Sequence, residues 1–317
     1  MDHKLIIFAG ACPGIGKSTL SSYLYKQLKL AGVKSRWFYE EDVSDEEFFP
    51  GVTEAVLSVD PQVFEVLLRA ARNLVEGALQ SDEIFNTDSL LPFVNWLFTI
   101  NIEPAKIAAF SRDLEKVLAP ANPLTVYLTG DIETAFRRAL AHRGAQYGTD
   151  FLGYMSEWSY YKDRGIQPSQ FEEIIAFFEA SNRLNLDLLA QWQSTKLIFN
   201  TTSTGLVELK QTLLEKWGLV EQAEPPKPDP TNLQKFTGIF RATGTSLPKT
   251  MQVTLKESDL WVDTYWPDGC RLHSLNTTNF QLQDTSHYLL FEISPEEEIR
   301  GLTYRIGAKE YGYVKEG

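Results

Sequence analysis

Apolar and polar positions alternate in two different ways along this chain, and the change falls near residue 220. Before it, largely apolar stretches at 4–9, 35–40, 82–87 (interrupted by Asn86 and Thr87), 124–129 and 196–200 predict the strands of a sheet covered on both faces. Between them apolar residues recur at helical spacing. After Asp60-Pro61, the residues Val63, Leu67, Ala71, Leu74 and Ala78 share one face. Ala105 to Leu118 predicts a second helix, Asp131 can cap a third running toward Arg143, and a fourth covers about Phe171 to Trp192. Strand–helix alternation implies right-handed crossovers and a five-stranded parallel sheet with helices on both faces. Ligands of such a sheet sit at the carboxyl ends of its strands.

Residues 221–232 read Glu-Gln-Ala-Glu-Pro-Pro-Lys-Pro-Asp-Pro-Thr-Asn. The prolines rule out a helix or a central strand and suit a semi-rigid extended linker. Beyond it, short segments of period two separated by turn residues predict about eight antiparallel strands. The expected organisation is an α/β domain over 1–220, a linker over 221–232 and an antiparallel β domain over 233–317.

The first strand runs directly into Ala11-Cys12-Pro13-Gly14-Ile15-Gly16-Lys17-Ser18-Thr19, a glycine-rich phosphate loop. Gly14 and Gly16 let the backbone turn tightly, so that successive N–H groups can point into one anion-sized hollow. Lys17 can reach the β and γ phosphates of a nucleotide, and the Ser18 hydroxyl can sit on Mg²⁺. A helix starting at Ser18 would add its partial positive charge to the same place. The usual pattern has glycine where Ala11 stands, with Gly10 just before it; alanine costs little if its φ stays negative.

Each later strand also ends in polar residues. The second ends in Glu40, Glu41 and Asp42, well placed for a general base or a metal ligand, against the alternative of an exposed acidic loop such as Asp45, Glu46 and Glu47 form. Glu40 and Asp42 share a facing and are the two candidates. The third ends at Asp88-Ser89; Asp88 is an Mg²⁺-binding partner for the loop or merely caps the next turn. The fourth leads to Arg137, Arg138 and Arg143, followed by Gly144, Gly148 and Gly153. Arginines on a flexible segment beside a phosphate site suit a closing lid that neutralises charge and excludes water, whereas arginines in a last helical turn simply favour the helix dipole. Arg143 and Arg138 lead, and Arg164 follows. Of the aromatic clusters (Trp37, Phe38, Tyr39; Phe93, Trp96, Phe98; Trp158, Tyr160, Tyr161), most are expected in the core, with a few free to stack on a flat substrate.

Composition narrows the partners. A net charge of −12 argues against nucleic acid, which is bound through a Lys/Arg surplus, but not against nucleotides. Only Cys12 and Cys270 are present, one of them inside the phosphate loop, so a disulfide is not expected and a reducing compartment is. The first strand begins at Leu5, leaving no room for a signal peptide, and no apolar run approaches a membrane span. A cytoplasmic protein is expected. His3, His142, His273 and His287 lack metal-ligand spacing.

With Ala11 to Thr19, Glu40, Asp88-Ser89, the helix ending in Arg143-Gly144 and the strand Lys196 to Thr202, residues 1–220 resemble P-loop small-molecule kinases, nearest the deoxynucleoside and thymidylate kinase branch. The resemblance implies ATP·Mg²⁺ as donor, a carboxylate base after the second strand, lid arginines within 137–143, and adenine passing the last strand. These kinases carry an acid–arginine pair where this chain has Asp88-Ser89, so the acceptor is left open; a nucleoside or nucleotide is favoured among small molecules. The departure also keeps a rival in play, an ATP-binding switch without phosphoryl transfer. Residues 233–317 resemble the lipocalin-like β domain appended to some serine β-lactamase-like proteins, through Phe236-Thr-Gly-Ile-Phe, Met251-Gln-Val-Thr-Leu, Asp259-Leu-Trp-Val-Asp, Ile299-Arg-Gly-Leu-Thr-Tyr-Arg and Tyr311-Gly-Tyr-Val, and the resemblance implies that the strands close into a small antiparallel β-barrel. No Ser-Lys nucleophile motif accompanies it. A packing or dimerisation module is preferred there over a ligand-binding barrel, which leaves a homodimer open.

Overall fold

A computed structural model describes residues 3–40, 48–88, 91–143, 145–168, 171–223, 230–244, 248–264, 269–283, 285–307 and 309–317. The chain forms two compact units, Met1–Gln222 and Ala223–Gly317.

The first unit is built on five parallel strands, β1 (Leu5–Gly10), β2 (Ser35–Phe38), β3 (Ile84–Thr87), β4 (Leu124–Thr129) and β5 (Thr195–Asn200). Their order across the sheet is β2-β3-β1-β4-β5, so the strand that feeds the glycine loop is central. Strand periodicity sorts its side chains onto two cores. Leu5, Ile7 and Ala9 join one apolar cluster, and Ile6 and Phe8 join the other.

Helix α1 (Lys17–Leu30) packs on the second cluster, and α2 (Val52–Leu57) and α3 (Val63–Gln80) on the first. In α3 the expected face is buried: Val63, Leu67, Ala71, Leu74 and Ala78, together with Ala70 and Val75. Next come α4 (Pro92–Thr99), α5 (Pro104–Leu118), α6 (Ile132–Arg143), α7 (Ala145–Ser156), α8 (Ser159–Lys162), α9 (Phe171–Gln191) and α10 (Leu206–Lys216).

Two expectations are corrected. Strand β2 stops at Phe38 rather than 40, because past it the Phe38 carbonyl accepts from Asp88 N (3.3 Å) and the Glu40 amide turns to the Asp88 side chain. The stretch from Arg137 to Arg164 is helical over nearly all its described length, not an open flexible segment; Gly148 and Gly153 lie inside α7, which is anchored by Phe151 against Phe136 and Phe178. As expected for most of the aromatics, Trp158, Tyr160 and Tyr161 pack in the core, Trp158 and Tyr160 against Phe177 at 4.9 and 4.8 Å. The first unit also extends to Gln222. Gln27, buried on α1, donates to Gln222 O (3.1 Å) and accepts from Gln222 N (2.7 Å), and Tyr23 donates to Glu221 (2.9 Å).

The second unit opens with a short helix, α11 (Pro230–Leu233), inside the span where proline was expected to exclude helix. Its first residue is the last of those prolines, and a first helical position needs no N–H. Eight antiparallel strands follow: β6 (Gly238–Ala242), β7 (Thr250–Lys256), β8 (Asp259–Val262), β9 (Cys270–Ser274), β10 (Asn279–Leu282), β11 (Tyr288–Ile293), β12 (Ile299–Ile306) and β13 (Lys309–Lys315). They close into a barrel because β13 pairs back onto β6, with Tyr313 opposite Ala242. Phe236, Phe280 and Phe291 meet edge to face at 4.9–5.5 Å in its core, and Phe240 joins Phe291 at 5.7 Å. At one end buried His287 shares a hydrogen bond with Tyr304 (Nδ1 to Oη, 2.6 Å).

Candidate functional site

The glycine loop leaves β1 as the sheet predicts. Ala11 N donates to Leu128 O (2.9 Å), extending the β1–β4 pairing by one residue, and Ala11 is buried with φ outside the positive range. That is the condition under which alanine replaces the first glycine without strain. Gly14 has φ +77°, and a Cβ there would lie 2.1 Å from Ala135 O on α6. Gly16, at φ +102°, turns the chain into α1, so Lys17 and Ser18 occupy the first helical turn, where the partial positive charge of the helix is concentrated. Pro13, Ile15 and Thr19 complete the loop; Ile15 is buried against the second core, and the other two are half-buried.

Four of the expected residues converge here. The Lys17 ammonium is ion-paired with the Glu40 carboxylate, the two side chains being 18% and 28% exposed. Glu40 N donates to Asp88 Oδ1 (2.6 Å), and the Ser18 hydroxyl lies 3.4 Å from Asp88 Oδ2. Asp88 is completely buried, so it does more than cap a turn: it ties the ends of β2 and β3 to the loop. Beside it Asn86, also fully buried, donates to Ser21 O (2.8 Å), stapling β3 to α1. The polar interruption of the third apolar run is therefore a strand-to-helix tie. Asp42 and Ser89 lie outside the described residues, as do Glu41, Asp45, Glu46, Glu47 and Gly144.

Ser18 and Asp88 supply hard oxygen donors close together, and a buried carboxylate with a hydroxyl partner fits Mg²⁺. Among the described residues no three His, Cys, Asp or Glu side chains gather into a metal cluster.

The arginines separate by geometry. Arg137 pairs with Glu133 (2.7 Å) and stacks on Phe171 (4.3 Å). Arg143 donates to Tyr147 Oη (2.9 Å) and lies over its ring. Arg164 joins Asn101 (2.7 Å) and Tyr160 O (2.6 Å), fastening the α4–α5 loop to α8. Arg138 is exposed on the turn of α6, Ala135 to Ala139, that touches Gly14. Its charge reaches Cys12. Burial pushes the Cys12 thiol up to about 12, Arg138 opposes the rise and Asp131 adds to it. Cys12 is thus a buried wall of the loop, not a nucleophile.

At the far side of the loop, Asp131 Oδ1 accepts from Thr134 N (2.6 Å) and caps α6 as expected. That bond holds its carboxyl below the usual value. Its own amide donates to Thr202 Oγ1 (2.7 Å), joining the ends of β4 and β5, a contact that sequence reasoning missed. The signal was Gly130, whose φ of +155° brings it within contact of Thr201 and Thr202. Also unforeseen is a polar network behind β4. Tyr127 donates to Asn182 (2.9 Å), and Ser181 and Asn185 both donate to Asn95 Oδ1 (2.9 and 2.6 Å). Burial pushes the Tyr127 hydroxyl's pKa well up.

No protein-family model matches the chain, and no curated protein does. Among solved structures it is similar to deoxyadenosine kinase from M. mycoides with bound dATP, at 16% identity over 68% of this chain and 98% of that one, with a TM-score of 0.40. It is also similar to the protein APE1195, at 14% identity over 61% of this chain and 99% of that one, with a TM-score of 0.34. Likenesses this distant do not bear on function.

Proposed function

We propose that residues 1–222 are an ATP·Mg²⁺-dependent phosphotransferase acting on a hydroxyl or phosphate of a small molecule, with a nucleoside or nucleotide favoured. One observation carries the reading: Lys17, Ser18, Glu40 and Asp88 converge where three adjacent parallel strands end and α1 begins. An anion bound there meets the helix N-terminus, the loop backbone and Lys17 together.

In this reading Lys17 and the loop hold the β and γ phosphates, and Ser18 and Asp88 hold Mg²⁺, which when bound neutralises charge on the phosphate oxygens. Glu40 accepts the proton of an acceptor hydroxyl, with Asp42 in reserve. Arg138, exposed on the α6 turn that lies against Gly14, is the better-placed cation for charge developing on the transferred group, while Arg143 is engaged by Tyr147. Residues 223–317 are proposed as a packing or dimerisation module.

The test is ADP release by the full chain with ATP·Mg²⁺ and a panel of nucleosides, nucleotides and aminoglycoside-like alcohols. Acceptor-dependent release supports the kinase. Tight ATP binding with no acceptor dependence returns the site to a nucleotide-binding switch, and absence of ATP binding removes the reading.

A further inference from the structure

The carboxylate assigned as base is engaged by the lysine assigned to phosphate. Both side chains are largely withdrawn from solvent, which strengthens their attraction over that of an exposed pair. The backbone beneath the pair is fixed. Glu40 N is held by Asp88 Oδ1, the other oxygen of Asp88 faces Ser18, and Lys17 sits on the first turn of α1. A carboxylate paired with an ammonium is also a poor base, because taking a proton forfeits the pair.

We propose that Glu40 is a lock on the phosphate-loop lysine: it holds Lys17 in the nucleotide-free protein, and an arriving triphosphate takes Lys17 over and releases Glu40 as a competent base. This rests on the phosphotransferase reading and deepens it. The base is then switched on by the donor, and an acceptor that arrives first meets a neutralised carboxylate. The lock also opposes ATP, since every binding event must break the Lys17–Glu40 pair.

Isothermal titration of the full chain with ATP, without acceptor, tests this in four proteins: wild type, Glu40→Gln, Lys17→Met and the double variant. Glu40→Gln should bind ATP about tenfold more tightly than wild type, the low end for a hydrogen bond to a charged group. In the Lys17→Met background the same substitution should change affinity less than about twofold, because no lysine remains to be released. Simple repulsion between Glu40 and the triphosphate would instead tighten binding in both backgrounds, and that result overturns the lock. So does a Glu40→Gln protein that binds ATP no better than wild type. Adenosine, which lacks phosphate, should bind wild type and Glu40→Gln alike; a difference there would show a structural role for Glu40 and overturn the lock. Glu40→Ala serves as a second variant if the glutamine protein does not fold. Wild type that binds no ATP sinks the phosphate-loop reading itself, and the lock with it. Wild type that binds ATP while Glu40→Gln gains nothing sinks the lock alone.

Discussion

Val59 holds φ +53° at the end of α2, where Val59 N donates to Val56 O (3.2 Å) and Asp60 N to Ala55 O (2.9 Å). This is a left-handed helix stop built with a β-branched residue in the position that favours glycine. Val59→Gly should therefore raise stability by about 1 kcal/mol, read as a higher urea midpoint; a lower midpoint would show that the half-exposed valine packs usefully. Gly14 and Gly16 make a second comparison. Both have positive φ, but only at Gly14 would a Cβ run into backbone, at Ala135 O. Gly14→Ala should lower the midpoint clearly more than Gly16→Ala, by roughly 1–3 kcal/mol. Equal losses would mean that α6 can move away from the loop. Lys17→Ala should abolish turnover and weaken ATP binding with the circular dichroism spectrum retained, because the lysine makes no part of either apolar core. Wild-type turnover in that variant contradicts the assigned site.

At the scale of elements, strand ends and helix starts carry the chemistry. Helix α6 depends on its Asp131 cap, whose carboxyl is held below the ordinary 3.8 by the Thr134 bonds. A depressed carboxyl stabilises the fold fully above its unfolded pKa, and loses that contribution as pH falls through the lower, folded value. Asp131→Ala should thus be less stable than wild type at neutral pH, with the gap closing below about pH 4. Thermal midpoints of the two proteins between pH 7 and pH 3 would show it; a gap independent of pH would place the effect elsewhere. The elements themselves were largely legible, because apolar runs and a helical stripe such as Val63 to Ala78 leave few alternatives. Short elements were not. Helices α2, α4 and α8 span less than about three turns, too few for periodicity to show, and their existence follows from what they pack against.

For the whole molecule, two units with separate apolar cores follow from one chain, and the first includes residues 221 and 222 through Tyr23 and Gln27. Cleavage between residues 222 and 230 should release two pieces that stay folded, since each keeps its own core. Residues 1–222 are expected to retain ATP binding by titration, and the remainder a β-rich spectrum. Aggregation of the larger piece, with the intact chain soluble, would show that the barrel protects it. A cut at 220 instead of 222 should lower the larger piece's unfolding midpoint, because it leaves buried Gln27 without partners.

Residue patterning alone was enough to specify the five-stranded parallel sheet and the run of antiparallel strands after it. Period, glycine placement and the Lys17-Ser18 pair are local properties that the backbone cannot satisfy in many ways. Tertiary structure decided the rest: that Asp88 bridges Ser18 and Glu40, that Lys17 is already held by Glu40, and that Arg138 lies on the turn against the loop while Arg143 and Arg164 are engaged elsewhere. Except for the Arg143–Tyr147 contact, those facts join residues 23 to 121 positions apart in the chain. No spacing rule reaches that far, because such contacts exist only once the strands have chosen their neighbours and set which ends meet.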